Sequence, residues 1–431
     1  MNTMKLVRVT ASVAFAFAVA LAGAAPAAPA ETAVLLKNGL IHTESARGSL
    51  RDSSVLIVGG RITAVGPGVT APEGATVIDL HGRPVTPALF GGVGSLGVAE
   101  VSEEGTTIDS ALKLGQMRPE FDPSLAFNPD SIPVAVSRAD GIGFALVSPG
   151  AEAGRHGAAG SSSVTGQASV ARLDGRAPMA PVALSVVLGD GGALSGDSRA
   201  AVYMLLGQAL EEARNPAAAT STDAHLLTAA GRRVLKSVIT EQRPLLVAAD
   251  RASDIRTALD FAAREKLKII IQGGAEAWRV APLLKRADVA VVLDPLDDLP
   301  ASFDSIGATL ENAARLHAAG VTIAFSLRES DPHNIRKLRN AAGVAVAHGL
   351  PWDAALSAIT SAPARLFHAT AEFGSIEVGK PANLVVWSGD PLEVTSLADA
   401  AWFDGTRATL RSRQTELRDR YLAKVRAGAA R

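Results

Sequence analysis

The sequence has 431 residues, 48% hydrophobic and 20% charged, so it can bury a large core and is expected to form two or three structural units. Its 42 lysines and arginines nearly balance 43 aspartates and glutamates. The formal net charge of −1 gives no electrostatic reason to expect a nucleic acid or an anionic membrane as a partner. Because cysteine is absent, disulfide bonds, thiolate metal sites and a cysteine nucleophile are excluded.

The first thirty residues have the pattern of a secretory signal peptide. Lys5 and Arg8 form a short basic start, residues 11–22 are apolar and uncharged, and small residues follow up to Ala30. The apolar run is shorter than the roughly 20 residues that a membrane-spanning helix needs. We therefore predict a signal peptide over residues 1–30, removal of that peptide, no later membrane segment, and a secreted or periplasmic protein.

The next part of the chain, residues 31–86, reads as the first part of a small β-sandwich. Short apolar runs alternate with turn residues, as in the run 54–58 before Gly59-Gly60. Lys37-Asn38-Gly39 is predicted to be a tight hairpin turn.

Residues 87–367 are predicted to form an α/β unit, a (β/α)8 TIM barrel. Apolar strand-like runs alternate with segments of helical periodicity, a pattern typical of parallel strands buried on both faces. The predicted strands are 133–136, 144–147, 245–248, 269–271, 289–293 and 321–325, and the predicted helices are 252–265, 310–319 and 334–348. Residues 154–166, rich in glycine, alanine and serine, are predicted to be a mobile surface loop.

Two segments follow the predicted barrel. Residues 374–380 and 382–387 are predicted to pair as a hairpin that supplies the second part of the β-sandwich, over residues 368–405. Residues 406–431 are predicted to end the chain as a charged helix with a solvated face.

Several motifs resemble those of the amidohydrolase superfamily. Residues 85–90, V-T-P-A-L-F, are similar to the superfamily's opening motif V-x-P-G-L-I-D. Residues 374–386, G-S-I-E-V-G-K-P-A-N-L-V-V, are similar to its closing motif G-S-I-E-x-G-K-x-A-D-L-V-V, and residues 355–366 look like the helix before it. Residues 273–278 and 331–334 resemble the imidazolonepropionase-like branch. The resemblance spans about residues 33 to 403, nearly the whole chain after the predicted signal peptide.

The resemblance implies a hydrolase of C–N bonds in cyclic or peptide-like amides that uses zinc or another divalent metal. Family members bind the metal with a His-x-His pair on the first barrel strand, histidines from the fifth and sixth strands, and an aspartate from the eighth. The metal lowers the pKa of bound water from ~15.7 to ~7, so that hydroxide attacks the amide.

This sequence departs from the family at each of those positions. Val93 and Ser95 replace the first-strand histidines, Ala248 and Gly273 occupy the fifth- and sixth-strand positions, and Arg328 replaces the aspartate. Valine, alanine and glycine side chains have no donor atom, and an arginine repels a metal cation. A shift of alignment brings in no histidine, since none lies between His81 and His156 or between His225 and His317. We therefore predict no metal and no other cofactor.

Four polar residues remain as candidate catalytic groups: Glu276, Arg328, Asp331 and His333. Side chains at the carboxyl ends of barrel strands usually act on ligands, and arginine can hold a carboxylate with two parallel hydrogen bonds. A small, anionic molecule is therefore the first ligand to test at the barrel mouth.

Each acidic residue in this region also has a purely structural interpretation. Glu276 also fits an acid at a helix start, and Asp250 fits a local ion pair with Arg251 or an N-cap. Asp294, Asp297 and Asp298 fit a solvated loop better than a cation site.

The sequence leaves three hypotheses. The first is an exported, non-hydrolytic amidohydrolase homologue that binds a small ligand or a partner subunit at the barrel mouth, as a homo-oligomer or beside an active paralogue. The second is a hydrolase of C–N bonds with a rebuilt active site. The third is a periplasmic binding or scaffold protein unrelated to the ancestral chemistry.

Overall fold

The computed structural model describes residues 33–101, 104–112, 114, 117–149, 162–189, 198–215, 225–328 and 332–429. The predicted signal peptide, residues 154–161 of the predicted loop, and Asp331 lie outside these ranges. Residues 164–166 of the predicted loop belong to a strand. In the described ranges, no helix combines the length and the hydropathy needed to cross a membrane.

Strands from both ends of the chain form one eight-stranded sheet. Its order is β16-β15-β14-β5-β1-β2-β3, and β4 pairs with β1. The antiparallel pairing of β5 with β14 joins the early strands to the late ones. Six of the strands contribute side chains to a single apolar core. The strands are β1 Ala33–His42, β2 Ser49–Val58, β3 Arg61–Gly66, β4 Thr76–Asp79, β5 Pro84–Pro87, β14 Leu384–Trp387, β15 Ala398–Phe403 and β16 Thr406–Arg407.

Two of the predicted hairpins in this sheet are wrong. Asn38 does not end a strand: β1 continues through it, with a positive φ of 58° and a register shift between Leu36 and Gly39, as in a β-bulge. Residues 374–380 are not a strand, because β14 takes β5 and β15 as its neighbours. The strand β1 instead turns after His42 to pair with β2, and β14 pairs with β15 on one side and with the distant β5 on the other.

The eight strands between these ends form a nearly closed barrel sheet in the order β6 to β13. Each strand contributes side chains to one apolar cluster, which fills the barrel interior. The gap between β6 and β13 is bridged by Ser326, whose hydroxyl accepts from Val93 N at 2.9 Å and donates to Val93 O at 3.2 Å. The strands are β6 Leu89–Gly94, β7 Ile142–Val147, β8 Val164–Arg172, β9 Pro181–Val187, β10 Leu245–Ala249, β11 Ile269–Gly273, β12 Val291–Leu293 and β13 Ile323–Phe325.

The third barrel strand departs from the predicted all-parallel pattern. β8 pairs antiparallel with both β7 and β9. Only residues 173–180 connect β8 to β9, and a parallel crossover needs about a dozen residues or more. The connection is therefore a hairpin, and the other described neighbours in the barrel are parallel.

The helices surround the barrel. The predicted helix 252–265 is confirmed as α4, while the predicted strand 133–136 is wrong because it lies in α1. Ser131 precedes α1, and Pro133 occupies its first turn, a position where the missing proline N–H costs nothing. The α-helices are α1 Ile132–Ala139, α2 Arg199–Arg214, α3 Ala229–Glu241, α4 Ala252–Glu265, α5 Ala281–Arg286, α6 Asn312–Ala318, α7 Leu338–Ala347, α8 Trp352–Ala358, α9 Ser361–Leu366 and α10 Arg413–Ala429.

Arg339 joins the barrel to the terminal sheet. It is only 6% exposed, and its guanidinium donates to the carbonyl oxygens of Pro391, Glu393 and Ser396 at 2.7–3.1 Å. We expect Arg339→Met to lower the free energy of unfolding by about 3 kcal/mol, because three carbonyls lose their donor. Urea unfolding measures this, with Arg336→Met as the control, since Arg336 is partly exposed and lies 4.0 Å from Asp140. Equal losses in the two variants would contradict the assigned role.

Candidate functional site at the barrel mouth

Acidic residues and one arginine converge where three barrel strands end. Asp250 follows β10, Asp294 and Asp297 follow β12, and Arg328 follows β13. Arg328 Nη1 donates to Asp250 Oδ2 at 2.8 Å, and Nη2 donates to Asp250 Oδ1. Arg328 Nε donates to Asp297 Oδ2 at 2.6 Å, and the Arg328 backbone N donates to Asp294 Oδ2 at 2.8 Å. One guanidinium therefore ties together the ends of three strands.

The same guanidinium lies against the end of β11. A Cβ atom built on Gly273 would come within 3.3 Å of Arg328 Nη2 and 2.5 Å of Asp250 Oδ1. Gly273 also has a positive φ of 91°. A side chain at this position would collide with the Asp250–Arg328 pair, so the pair occupies the space where a sixth-strand ligand would begin.

The predicted pairing of Asp250 with Arg251 is wrong. Asp250 binds Arg328, which is 78 residues away, and Arg251 binds Asp254 at 2.8 Å. The solvated-loop interpretation also fails for Asp294, which is buried, and for Asp297, which is half-buried, whereas Asp298 is exposed. The signal available in the sequence was an acidic residue directly after an apolar strand, at both Asp250 and Asp294.

Glu276 binds backbone amides. Its Oε2 accepts from the N–H of Ala252 at 3.0 Å, at the start of α4, and its Oε1 accepts from the N–H of Gly307 at 2.9 Å. It is 5% exposed, and Arg279 lies 3.8 Å away. A carboxylate in this position favours the helix N-terminus and fixes the 307 loop beside it.

His333 does not join the group around Arg328. It is exposed on the 3-10 helix Pro332–Lys337, which packs against α1 and β6. Ile335 of this helix lies close to Gly91 of β6. Of the predicted catalytic residues described by the structure, Arg328 lies at the mouth, Glu276 supports the neighbouring loops, and His333 is on the outside.

The predicted metal-ligand positions carry apolar or non-ligating groups. Val93 belongs to the apolar interior cluster, and Ser95 is half-buried. Ala248 pairs in register with Gln272, so Gln272 is its inward-facing neighbour on β11. Gln272 was not predicted as a site residue, and its side-chain amide forms no hydrogen bond with any described residue. This amide is a free polar group near the mouth.

A second ionic group supports the mouth. Arg199, at the start of α2, donates to Asp254 Oδ2 at 3.1 Å and to both oxygens of Asp304 at 2.6 and 2.8 Å. Asp304 lies close to the end of β9. Its Oδ2 is 3.7 Å from a Cβ atom built on Gly189, an ordinary van der Waals distance. This group could not be predicted from the sequence, since its three residues come from separate segments.

Comparison with known proteins shows a likeness to one family over part of the chain. Residues 240–410, which include Asp250, Gly273 and Arg328, match the model of the amidohydrolase family. This match spans less than half of the chain. The amidohydrolase tasK of Hapsidospora irregularis is 42% identical over 59 residues, and the aligned part covers 14% of this chain and 6% of that relative.

Solved structures share the fold of most of this chain. An amidohydrolase from Thermotoga maritima MSB8 superposes with a TM-score of 0.77 at 23% identity, covering 88% of this chain and 100% of that one. Molinate hydrolase superposes with a TM-score of 0.54 at 14% identity, covering 88% of this chain and 95% of that one. At these identities the likeness establishes the fold alone.

The side chains at the mouth differ from the metal ligands that the resemblance to the amidohydrolase superfamily implies. Metal sites of this kind need imidazole nitrogens or carboxylates, and a cationic guanidinium lies where they would converge. Among the described residues, no three histidine, aspartate or glutamate side chains are grouped to hold a metal ion. The guanidinium of Arg328 lies between Asp250 and Asp297 and donates hydrogen bonds to both carboxylates.

The electrostatics keep Arg328 charged and make Asp297 hard to ionise. Burial alone would lower the pKa of Arg328, but the hydrogen bonds and charges of Asp250 and Asp297 outweigh it and raise that pKa. Burial raises the pKa of Asp297 to about 6, against the opposing effect of Arg328 and with the help of the nearby charges of Asp294 and Asp250. Of these two groups, Asp297 is the one that titrates near neutral pH.

The raised pKa of Asp297 predicts that the free energy of unfolding depends on pH. Because the folded-state pKa of about 6 exceeds the ordinary 3.8, proton binding by Asp297 favours the folded state. This stabilisation is complete below about pH 3.8 and is lost as the pH rises through about 6. We expect the stability of the wild type relative to Asp297→Asn to fall between pH 4.5 and 7.5. Urea unfolding across this range measures the difference, and a constant or rising difference would contradict it.

Proposed function

We propose that this protein is a non-hydrolytic amidohydrolase homologue that binds a small molecule or a partner subunit at the barrel mouth. The observation that carries the proposal is the Arg328 guanidinium, bonded to Asp250 and Asp297 where the family's metal ligands would converge. Hydrolysis of an amide at neutral pH needs an activated water, and the family obtains it from a metal. A cation fixed at this point opposes metal binding and supplies no base.

The geometry supports a polar ligand for this site. Gln272 presents an unbonded amide, and the hydroxyls of Ser148 and Ser185 lie 2.6 Å apart near the ends of β7 and β9. The bonds to Asp250 and Asp297 use three of the five N–H donors of Arg328, one each on Nε, Nη1 and Nη2. The second N–H groups of Nη1 and Nη2 are left for an anionic ligand.

Metal content is the direct test. Protein purified without chelator is expected to contain well below one zinc, iron or manganese ion per chain by plasma mass spectrometry. Addition of zinc is expected to leave its thermal midpoint unchanged and to produce no turnover of an amide and lactam panel. One tightly bound metal per chain, together with chelator-sensitive amide cleavage, would overturn the proposal.

The alternative is a hydrolase of C–N bonds with a rebuilt site that uses Glu276, Asp331 and His333 as acid/base groups and Arg328 to stabilise an oxyanion. Both oxygens of Glu276 already bind backbone amides, and His333 is exposed on the outer helix. These positions favour the non-hydrolytic function. Turnover that is abolished by His333→Ala and retained in an exposed control, His348→Ala, would favour the alternative.

We also propose that the protein is exported and belongs to the imidazolonepropionase-like branch. We propose further that it associates with a second copy or with an active paralogue. Cell fractionation tests export, since a protein retained in the cytoplasm would exclude it. Light scattering, alone and with a candidate paralogue, tests the association.

A further inference from the structure

A second cavity lies away from the barrel mouth. It has a volume of about 400 Å³ and lies between the connection that joins β1 to β2 and the helices α8 and α9. The carbonyl of Ile359, between these helices, accepts a hydrogen bond from the N–H of Phe90 at the start of β6. Because the mouth is formed by the carboxyl ends of the strands, this cavity belongs to the opposite end of the barrel. It is also at a junction between two structural units, where ligand sites are common.

One wall of the cavity presents a half-buried carboxylate. Glu44 has a φ of 51°, a conformation that non-glycine residues rarely adopt, and its Oε2 accepts from Ser361 Oγ at 2.9 Å. Ser361 Oγ in turn lies 2.8 Å from Ser357 Oγ. Burial raises the pKa of Glu44, while the hydrogen bond from Ser361 opposes that rise. The carboxylate is thus held in place from the helix side of the cavity.

Two further charges line the cavity without a partner. Asp353 and Arg365 are exposed, and neither forms a hydrogen bond or an ion pair with another described residue. Both lie near enough to Glu44 for their charges to act on its carboxyl group in opposite directions. The cavity therefore offers a free cation and a free anion, with hydroxyl groups between them.

We propose that this cavity binds a small zwitterion of the α-amino acid class. Arg365 would hold the ligand's carboxylate with its planar guanidinium, and Asp353 and Glu44 would accept from its ammonium group. The cavity volume lies within the range of roughly 300–1,000 Å³ usual for small-molecule sites. A ligand with only one of the two charges leaves one set of protein charges unpaired and binds less tightly.

Calorimetric titration of the full chain with free L-amino acids tests the proposal. Matched N-acetyl derivatives lack the ammonium, and matched amides lack the carboxylate. We expect free amino acids to bind about tenfold or more tightly than either derivative, because each derivative loses charge-assisted hydrogen bonds. Arg365→Gln is expected to remove the preference over the amide, and Asp353→Asn to weaken the preference over the N-acetyl form. Arg411→Gln, an exposed arginine outside the cavity, is the control and is expected to bind as the wild type does.

Three outcomes would overturn the proposal. They are no binding by any free amino acid, equal binding by the free and blocked forms, and binding that Arg365→Gln and Asp353→Asn leave unchanged. The proposal does not depend on the function of the mouth, because the residues that line this cavity are separate from the group around Arg328.

Discussion

Replacing Arg328 with methionine is expected to lower the free energy of unfolding by about 2 kcal/mol. The substitution leaves the carboxylates of Asp250 and Asp297 close together without their cation. Loss of one partner from a fully buried pair costs about 3–5 kcal/mol. The effect here is smaller because the Arg328 side chain is 32% exposed and the two aspartates are 22% and 20% exposed. Urea unfolding at pH 7.5, above the pKa of Asp297, measures the loss.

The same variant tests whether Arg328 takes the place of a metal ion. With the guanidinium removed, the carboxylates of Asp250 and Asp297 lose their counter-charge and attract a divalent cation to the space between them. The thermal midpoint of Arg328→Met is therefore expected to rise when calcium or manganese is added, whereas that of the wild type stays constant. Arg418→Met is the control, because Arg418 pairs with Asp419 on the surface of α10, where an ion pair contributes at most about 1 kcal/mol. If Arg328→Met and Arg418→Met lower the free energy of unfolding by the same amount, the central role of Arg328 is excluded.

Gly273→Ala is expected to destabilise the protein by about 3 kcal/mol. The new Cβ atom would lie 2.5 Å from Asp250 Oδ1, and the positive φ of 91° disfavours any L side chain. A histidine at this position, where the resemblance implies a metal ligand, is therefore also expected to destabilise the fold while the Asp250–Arg328 pair is present. Thermal and urea unfolding of the purified variant measure the cost.

Gly379→Ala separates the two causes. Gly379 has a similar φ of 92°, but a Cβ atom there would meet no atom within 4 Å. Its substitution is expected to cost about 1 kcal/mol, from the backbone alone. If the two alanine variants lose the same stability, the space at Gly273 is not limited by Asp250. If Asp250→Ala reduces the cost of Gly273→Ala, the collision is with that carboxylate.

The sequence was a good guide wherever the signal was local or belonged to the family. Helix α4 and the strands β10 and β11 follow from the apolar periodicity of residues 245–273. The missing histidines were also readable, because the absence of a residue type does not depend on the fold. The antiparallel direction of β8 was not predicted, since it depends on the short connection to β9 and on the partner strands.

The candidate site shows the same division. That Arg328 follows the last barrel strand could be predicted, but its partner could not: Asp250 is 78 residues away, while Arg251 is adjacent in sequence. Glu276 was an acid/base candidate in the sequence, whereas in the structure its two oxygens accept hydrogen bonds from the backbone amides of Ala252 and Gly307. A carboxylate's role depends on what surrounds it, and the surroundings come from distant segments.

By itself, the sequence determined the family resemblance, the barrel and the absence of histidine at the positions where the resemblance implies metal ligands, because these depend on residue identity and on periodicity along the chain. Only the tertiary structure decided that a guanidinium, held by Asp250 and Asp297, lies where strands β10 to β13 end, and that Glu44, Asp353 and Arg365 share one cavity. The physical reason is that ion pairs and cavities form between residues brought together by folding, and charge attraction acts through space, whatever the separation in sequence.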